Sequence, residues 1–548
     1  MTKGNVKKLA LAVGMALSGI SLTASAQFLP ERLMQVAQDN LGQALIFPYY
    51  TVRGGWMTLF GVTNTSDQIV AVKVRFRESY NSRDVLDFNV ILSPQDVWTG
   101  WVADTASGPA IFTEDQSCTI GTITAAGVSF PSPASYVGAA ADGGPTSEDR
   151  MREGYVEMIM MGSADPSTTT TLPTTALARG AIHSTTTGVP PGCAALVSAF
   201  QNTAALPQLR SEFRNYGASD AAGSIGNPLM GTFSLVNGTE GYSAAGKPVT
   251  LANFFVPYSD CDTDVFGDCA LMTLQLSQAD ANNNFYDSWH EPSLNAADGG
   301  LVRTSPNGIF LDEYAIWGAD AVSLVLFQTS VINEWTRRTN PVAGWTTATD
   351  WVITFPTKNF YVDNQPNNEF AGRNNGRDNT GSDPVFFTQM FTDSAASPVV
   401  ARGRSCDSIS YQIYNREEVR ATGGGFSPGG TPQLCYEANV LTFGGSNILN
   451  SGTPASIDSL AGTFGWANVR FNPSASILGR SLGSLSGNAS IAAVKPSSPT
   501  GLPAVGFAIT SRDDSASALL SEASLVEHSY WLDLSFFPTS EGSALTRR

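Results

Sequence analysis

Four aspartates, Asp260, Asp262, Asp264 and Asp268, surround a close cysteine pair, Cys261 and Cys269. Carboxylates gathered on one loop and held by a short disulfide can offer a hard cation several oxygen ligands, and calcium tolerates irregular oxygen geometry. The spacing is not that of an EF-hand, because Val265 stands where the turning glycine belongs and Leu271 where the bidentate acid belongs. Calcium on these four aspartates is one expectation and a solvated acidic loop the other. Asp280, Asn282, Asn284 and Asp287 form a second oxygen-rich loop nearby.

A nucleophile motif is also present. Gly479-Arg480-Ser481-Leu482-Gly483 matches G-x-S-x-G, and Asp513, Asp514 and His528 follow in the Ser, Asp, His order of α/β-hydrolases. That elbow needs a strand before it and a helix after it, whereas Gly483-Ser484-Leu485-Ser486-Gly487 starts a helix poorly. A Gly/Ser-rich turn is expected, and no catalytic residue is assigned. His183, His290 and His528 are the only imidazoles. Trp289-His290-Glu291 sets an aromatic ring, a titratable ring and a carboxylate together, but neighbours on a strand point to opposite faces, so this too reads as a surface loop. Trp98, Trp101, Trp335, Trp345, Trp351, Tyr361, Trp466 and Trp531 would make sugar-stacking platforms if exposed; packing in a core is the expected use.

The elements that must position these residues are strands. Trp56 to Tyr80 reads as strand, turn and strand, with Asn64-Thr65-Ser66-Asp67 turning the chain. From Ile69 the alternation sets Val70, Val72, Val74 and Phe76 on one face and Lys73, Arg75 and Arg77 on the other, which predicts a half-buried strand. Ala44–Tyr50, Val85–Leu92, Val97–Val102 and Tyr155–Met161 continue the series. Ala106 to Asp149 reads as an insertion rich in small residues. The Thr- and Pro-rich stretch from Ser163 to Gly192 reads as an exposed loop, and Ala194 to Asn215 as one or two short helices on the sheet. Further strand patterns run to Phe536.

With 52 glycines, 30 prolines and many short alternating segments, the chain is predicted to be all-β: two β-sandwich domains, 27–258 and 259–548, with loop and short helical insertions. Lys3, Lys7 and Lys8, the apolar run Leu9 to Leu22 and Ala24-Ser25-Ala26 have the order of a cleavable signal peptide over residues 1–26. The six cysteines then sit in an oxidising compartment, where disulfides are the default. Joining nearest neighbours gives Cys118 with Cys193, Cys261 with Cys269 and Cys406 with Cys435. No CxxC spacing points to zinc. A formal charge of -17 disfavours nucleic acid and anionic membrane surfaces, and no stretch after the signal approaches the roughly 20 apolar residues of a transmembrane helix.

The blocks ALIFPYYTVRGGWMTLFGVTNTS, ATDWVITFPTKNFYVD, FGWANVRF and GLPAVGFAI resemble a group of uncharacterised exported proteobacterial β-rich proteins, and the N-terminal hairpin resembles bacterial immunoglobulin-like modules. That resemblance implies export and a β-rich fold, and brings no activity or site residue with it. The function expected is a non-catalytic binding or structural role in the periplasm, at the cell surface or outside the cell, with a surface, glycan or protein ligand. A secreted hydrolase or carbohydrate-active enzyme, and an outer-membrane β-barrel, are the alternatives.

Overall fold

The computed structural model describes residues 34–121, 123–130, 144–166, 177–200, 226–254, 325–340, 344–359, 405–420, 432–458, 462–471, 501–514 and 521–531, with a few isolated positions between them. The strands of the first half are β1 (Gln35–Val36), β2 (Ala44–Thr51), β3 (Trp56–Asn64), β4 (Ile69–Glu78), β5 (Asp84–Leu92), β6 (Val97–Thr105), β7 (Gly108–Phe112), β8 (Cys118–Ile120), β9 (Val128–Ser129), β10 (Glu153–Ala164), β11 (Leu229–Asn237), β12 (Tyr242–Gly246) and β13 (Val249–Ala252). Those of the second are β14 (Phe327–Gln328), β15 (Ser330–Asn340), β16 (Trp345–Thr354), β17 (Asp407–Asn415), β18 (Gln433–Leu434), β19 (Ala438–Phe443), β20 (Ala455–Ile457), β21 (Phe464–Phe471), β22 (Leu502–Pro503), β23 (Val505–Asp514), β24 (Glu522–Glu527) and β25 (Ser529–Trp531). The fold is all-β, and among the described residues no sheet closes on itself.

Two sheets of the first half, β1-β13-β2-β10-β4-β5-β8 and β12-β11-β3-β6-β7-β9, face one another as a sandwich. Their inner faces meet edge to face: Phe60 of β3 packs against Phe47 of β2 and Phe76 of β4, at 5.5 Å in each case, and Phe88 packs against Trp98. The stretch read as a loose insertion over the sheet instead supplies strands: β7 pairs with β6, and β8 with β5. A three-residue strand such as Cys-Thr-Ile shows no period by itself, so pairing with an existing edge, rather than local pattern, decides it.

The second half forms a larger, mostly antiparallel sheet around β15, β16, β21 and β23, with β20 parallel to β19. Strands up to β13 pair only with one another, as do those from β14 onward, yet one apolar core runs through both halves. Phe233 lies 5.7 Å from Phe507, the Thr354 hydroxyl donates to the Pro48 carbonyl at 2.6 Å, and Trp56 Nε1 donates to the Ile448 carbonyl at 2.9 Å.

The half-buried reading of β4 is corrected here, because every residue of that strand is buried. The cause is a second layer on its outer face. At one end that face is apolar, with Ile69, Ala71, Ile91 and Met161 packed under one short helix, α1 (Cys193–Phe200), through Leu196 and Phe200. The predicted Cys118–Cys193 disulfide fastens α1 to the edge strand β8. At the other end the face is ionic and meets the second half of the chain. Cys406–Cys435 also forms as predicted, while Cys261 and Cys269 lie outside the described residues.

Candidate functional site

The ionic end of that face is built by register. Arg75 stands opposite Asp87 of β5 on one side and Glu157 of β10 on the other, with Lys73 and Arg77 two residues away along the strand. Lys73 Nζ lies 2.5 Å from Asp87 Oδ2 and Arg77 Nε 2.9 Å from Glu157 Oε1, all four side chains being fully buried. The turn that follows β4 is clamped by the Glu78 carboxylate, which accepts from the backbone N–H groups of Tyr80, Asn81 and Arg83 and pairs with Arg150 at 3.0 Å. Buried charge is tolerated only where each ion is paired and hydrogen-bonded, and the short cross-strand distances of a sheet supply both.

This turn is also the joint with the second half. The Ser79 carbonyl accepts from the N–H groups of Glu437 and Ala438, and Tyr80 meets Tyr436 edge to face at 4.8 Å. The Glu437 carboxylate is buried here beside the Ser82 hydroxyl and the Asn359 N–H. Burial raises its pKa well above the usual carboxylate range, only partly opposed by Lys358. Lys358 pairs with buried Asp407 at 2.8 Å. A second joint is formed by Arg53, whose Nε lies 2.9 Å from Glu153 Oε1. The same carboxylate oxygen accepts from the Gly452 N–H at 3.0 Å, and Glu153 Oε2 accepts from the Tyr49 hydroxyl at 2.7 Å. A β-carbon on Gly452 would stand 2.7 Å from Arg53 Nη2, so a larger residue here would push the guanidinium aside.

The described histidines are held in internal bonds. His528 is buried between the Val352 carbonyl, 3.0 Å from Nε2, and the Asn333 amide, 3.1 Å from Nδ1, which fixes the neutral Nε2–H tautomer. Burial lowers its pKa to about 4. Asp513, the acid of the sequence-level Ser-Asp-His order, accepts from the Ser521 hydroxyl at the far end of the β23–β24 hairpin. It is roughly 20 Å or more from His528 at about 3.4 Å per strand residue. That order therefore does not become a constellation, and Ser481 lies outside the described residues.

A different serine, histidine and aspartate do meet. Ser93 Oγ is 3.0 Å from His183 Nδ1 and 3.2 Å from Asp96 Oδ2, and the same Asp96 oxygen is 3.5 Å from the same ring nitrogen. A catalytic relay needs the serine on one nitrogen and the acid on the other. Here both sit on Nδ1, and the Ser93 N–H also donates to Asp96, so the cluster closes the 93–96 turn. Ser-Pro-Gln-Asp signals such a turn; nothing local points to a partner 90 residues away.

The metal expectation at Asp260, Asp262, Asp264 and Asp268, and that at His290, fall outside the described residues. Among the described residues no group of three or more His, Cys, Asp or Glu side chains is placed to hold a metal ion, and no helix is long and apolar enough to cross a membrane.

The tryptophans divide. Trp98, Trp335 and Trp351 lie in the core as predicted. Trp101, Trp345 and Trp466 lie on outer surfaces: Trp101 stacks on Phe112, Trp345 sits between Arg338 and Arg512, and Trp466 stacks on Tyr414 with ring centroids 4.8 Å apart. In comparisons with known proteins, no family model, no curated protein and no solved structure matches the chain.

Proposed function

We propose that this is an exported protein, of the periplasm, the cell surface or the extracellular space, that works by binding or structural support rather than by catalysis. The observation that carries this reading is where the ionisable groups are. Both nitrogens of His528 are engaged, Asp87 and Glu157 are buried in ion pairs, and Glu153 holds a joint between the halves. An acid–base catalyst needs such groups within reach of substrate. The outer sheet surfaces carry stacked aromatic rings beside polar and charged side chains, which are recognition chemistry. Export is supported by the disulfides Cys118–Cys193 and Cys406–Cys435, which persist in oxidising compartments, together with the lysine, apolar and small-residue order at the N-terminus.

Cell fractionation with protease shaving of whole cells tests the first part: the protein is expected outside the cytoplasm and oxidised, and a cytoplasmic pool with free thiols would overturn export. Ser481→Ala tests the second. It is expected to leave function intact; an esterase or peptidase activity abolished by that change, with folding preserved, would overturn the non-catalytic reading.

A further inference from the structure

We infer that the outer face formed by β17, β21 and β15 is a binding site for neutral glycans built of pyranose rings. The inference rests on the binding role proposed above and names the ligand class. The face is defined by register. Tyr414 stands opposite Trp466, which stands opposite Glu334; Gln412 opposite Asn468, which stands opposite Ile332; Ser410 opposite Arg470, which stands opposite Ser330. The alternate residues Ile409 and Ile413 of β17, Ala467 and Val469 of β21, and Val331 and Trp335 of β15 point into the core, so the first set faces outward. From Phe464 to Arg470 this strip runs about 20 Å at roughly 3.4 Å per residue, room for more than one sugar ring.

Three features select a glycan. Trp466 and Tyr414 are nearly parallel, 17° apart, so Tyr414 covers one face of the indole. Trp466 is 41% exposed, which leaves part of the indole in water. A pyranose with equatorial hydroxyls presents axial C–H bonds to such a ring and directs its hydroxyls sideways, where exposed Glu334 can accept from them. Secondly, Asn468, only 4% exposed in the middle of the strip, has its side-chain carbonyl oxygen without a hydrogen-bond partner, and the neighbouring buried Ser330 hydroxyl has none either. A buried polar atom left unsatisfied is costly, and a ligand hydroxyl would satisfy it. Thirdly, the strip balances one arginine, Arg470, against one glutamate, Glu334, within a chain of net charge -17, so a neutral ligand fits and a polyanion is repelled.

The test is calorimetric titration of the purified protein with cellohexaose and with the hexamer of β-1,4-linked N-acetylglucosamine, both neutral and equatorial, and with an oligogalacturonate as the anionic probe. Saturable binding of at least one neutral hexamer is expected, weakened tenfold or more by Trp466→Ala and several-fold by Tyr414→Ala, with circular dichroism unchanged. Trp101→Ala, on another sheet, should leave the affinity as it was. No binding of either neutral hexamer, equal binding by Trp466→Ala, or binding of the oligogalacturonate alone would overturn the assignment. Cleavage of a bound hexamer would overturn the non-catalytic reading while leaving the face standing. An exported protein that binds neither hexamer would sink the face and leave the broader reading in place.

Discussion

Two sheet faces carry opposite chemistry from what their surroundings would suggest. The outer face of β4, with Lys73, Arg75 and Arg77, is sealed from water, whereas the outer face of β21, with Phe464 and Trp466, is open to it. Both strands alternate in sequence. Alternation fixes that a strand has two different faces and is silent on which of them another layer will cover. On β4 the second layer is α1 at one end and the joint with the second half at the other. On β21 the inner face belongs to the core through Ala467, Val469 and Phe471, and the aromatics are left outside. The charged face therefore works as an internal fastening, and the aromatic face is available for recognition.

The most damaging way to break this contrast is to remove one partner from the sealed face. Glu157→Ala leaves Arg77 buried beside an empty position, and breaking a buried pair in this way costs about 3–5 kcal/mol. Denaturant unfolding of the variant should show that loss. Replacing both together, Arg77→Met with Glu157→Leu, should recover most of it, since apolar replacement of a whole buried pair is often neutral or stabilising. A Glu157→Ala protein as stable as the wild type would mean that the face is wet after all.

Buried titratable groups in the second half give a smaller effect, with two opposite signs. Asp350, beneath the Ser446 hydroxyl at 2.6 Å and the Leu449 N–H at 3.2 Å, is pushed up by burial to about 6. Its folded state binds the proton more tightly than the unfolded chain. Its stabilisation is therefore complete below pH 3.8 and is lost as pH rises through about 6, a change of about 3 kcal/mol. His528, pushed down to about 4, behaves in reverse: its contribution is complete above pH 6.5 and is lost as pH falls toward 4, by a similar amount of about 3 kcal/mol. Between pH 4 and 6.5 the two slopes oppose one another. Asp350→Asn, whose amide can still serve Ser446 and the Leu449 N–H, should gain stability at pH 8 and expose the acid-side decline due to His528. His528→Gln should flatten that decline. Unfolding free energies measured from pH 4 to 8 decide this, and parallel profiles for wild type and Asp350→Asn would show that the carboxyl is solvated.

Much of the fold was legible because it rests on local pattern. The strands at Ala44, Trp56, Ile69 and Val97, the turn at Asn64 to Asp67 and the helix after Pro191 follow from alternation, turn residues and helical spacing. Of the three nearest-neighbour cysteine pairs, Cys118–Cys193 and Cys406–Cys435 form. Long-range placement was not legible. Nothing near Lys73 announces the ion pair with Asp87 of the next strand under a covering layer, and nothing near Ser79 announces Glu437 from the second half. For the candidate site, Trp466 was visible as an aromatic with two possible uses, but Tyr414 and Asn468 become part of one face only once β17 is set beside β21.

The smallest expected effect sharpens the contrast most. An aromatic in a core contributes through the area it removes from water and the cavity its loss leaves, about 3–5 kcal/mol for a tryptophan such as Trp335. Trp466, half in water and held chiefly by Tyr414, should forfeit little beyond the ring pair, about 1 kcal/mol on Trp466→Ala. On the glycan assignment proposed above, a side chain of that size on a surface where it adds so little to the fold acts through what it touches from outside. Thermal unfolding of Trp466→Ala beside the wild type measures this directly. A loss approaching that of a core tryptophan would mean that the ring is part of the packing, and the difference between the two faces would shrink to the charged one alone.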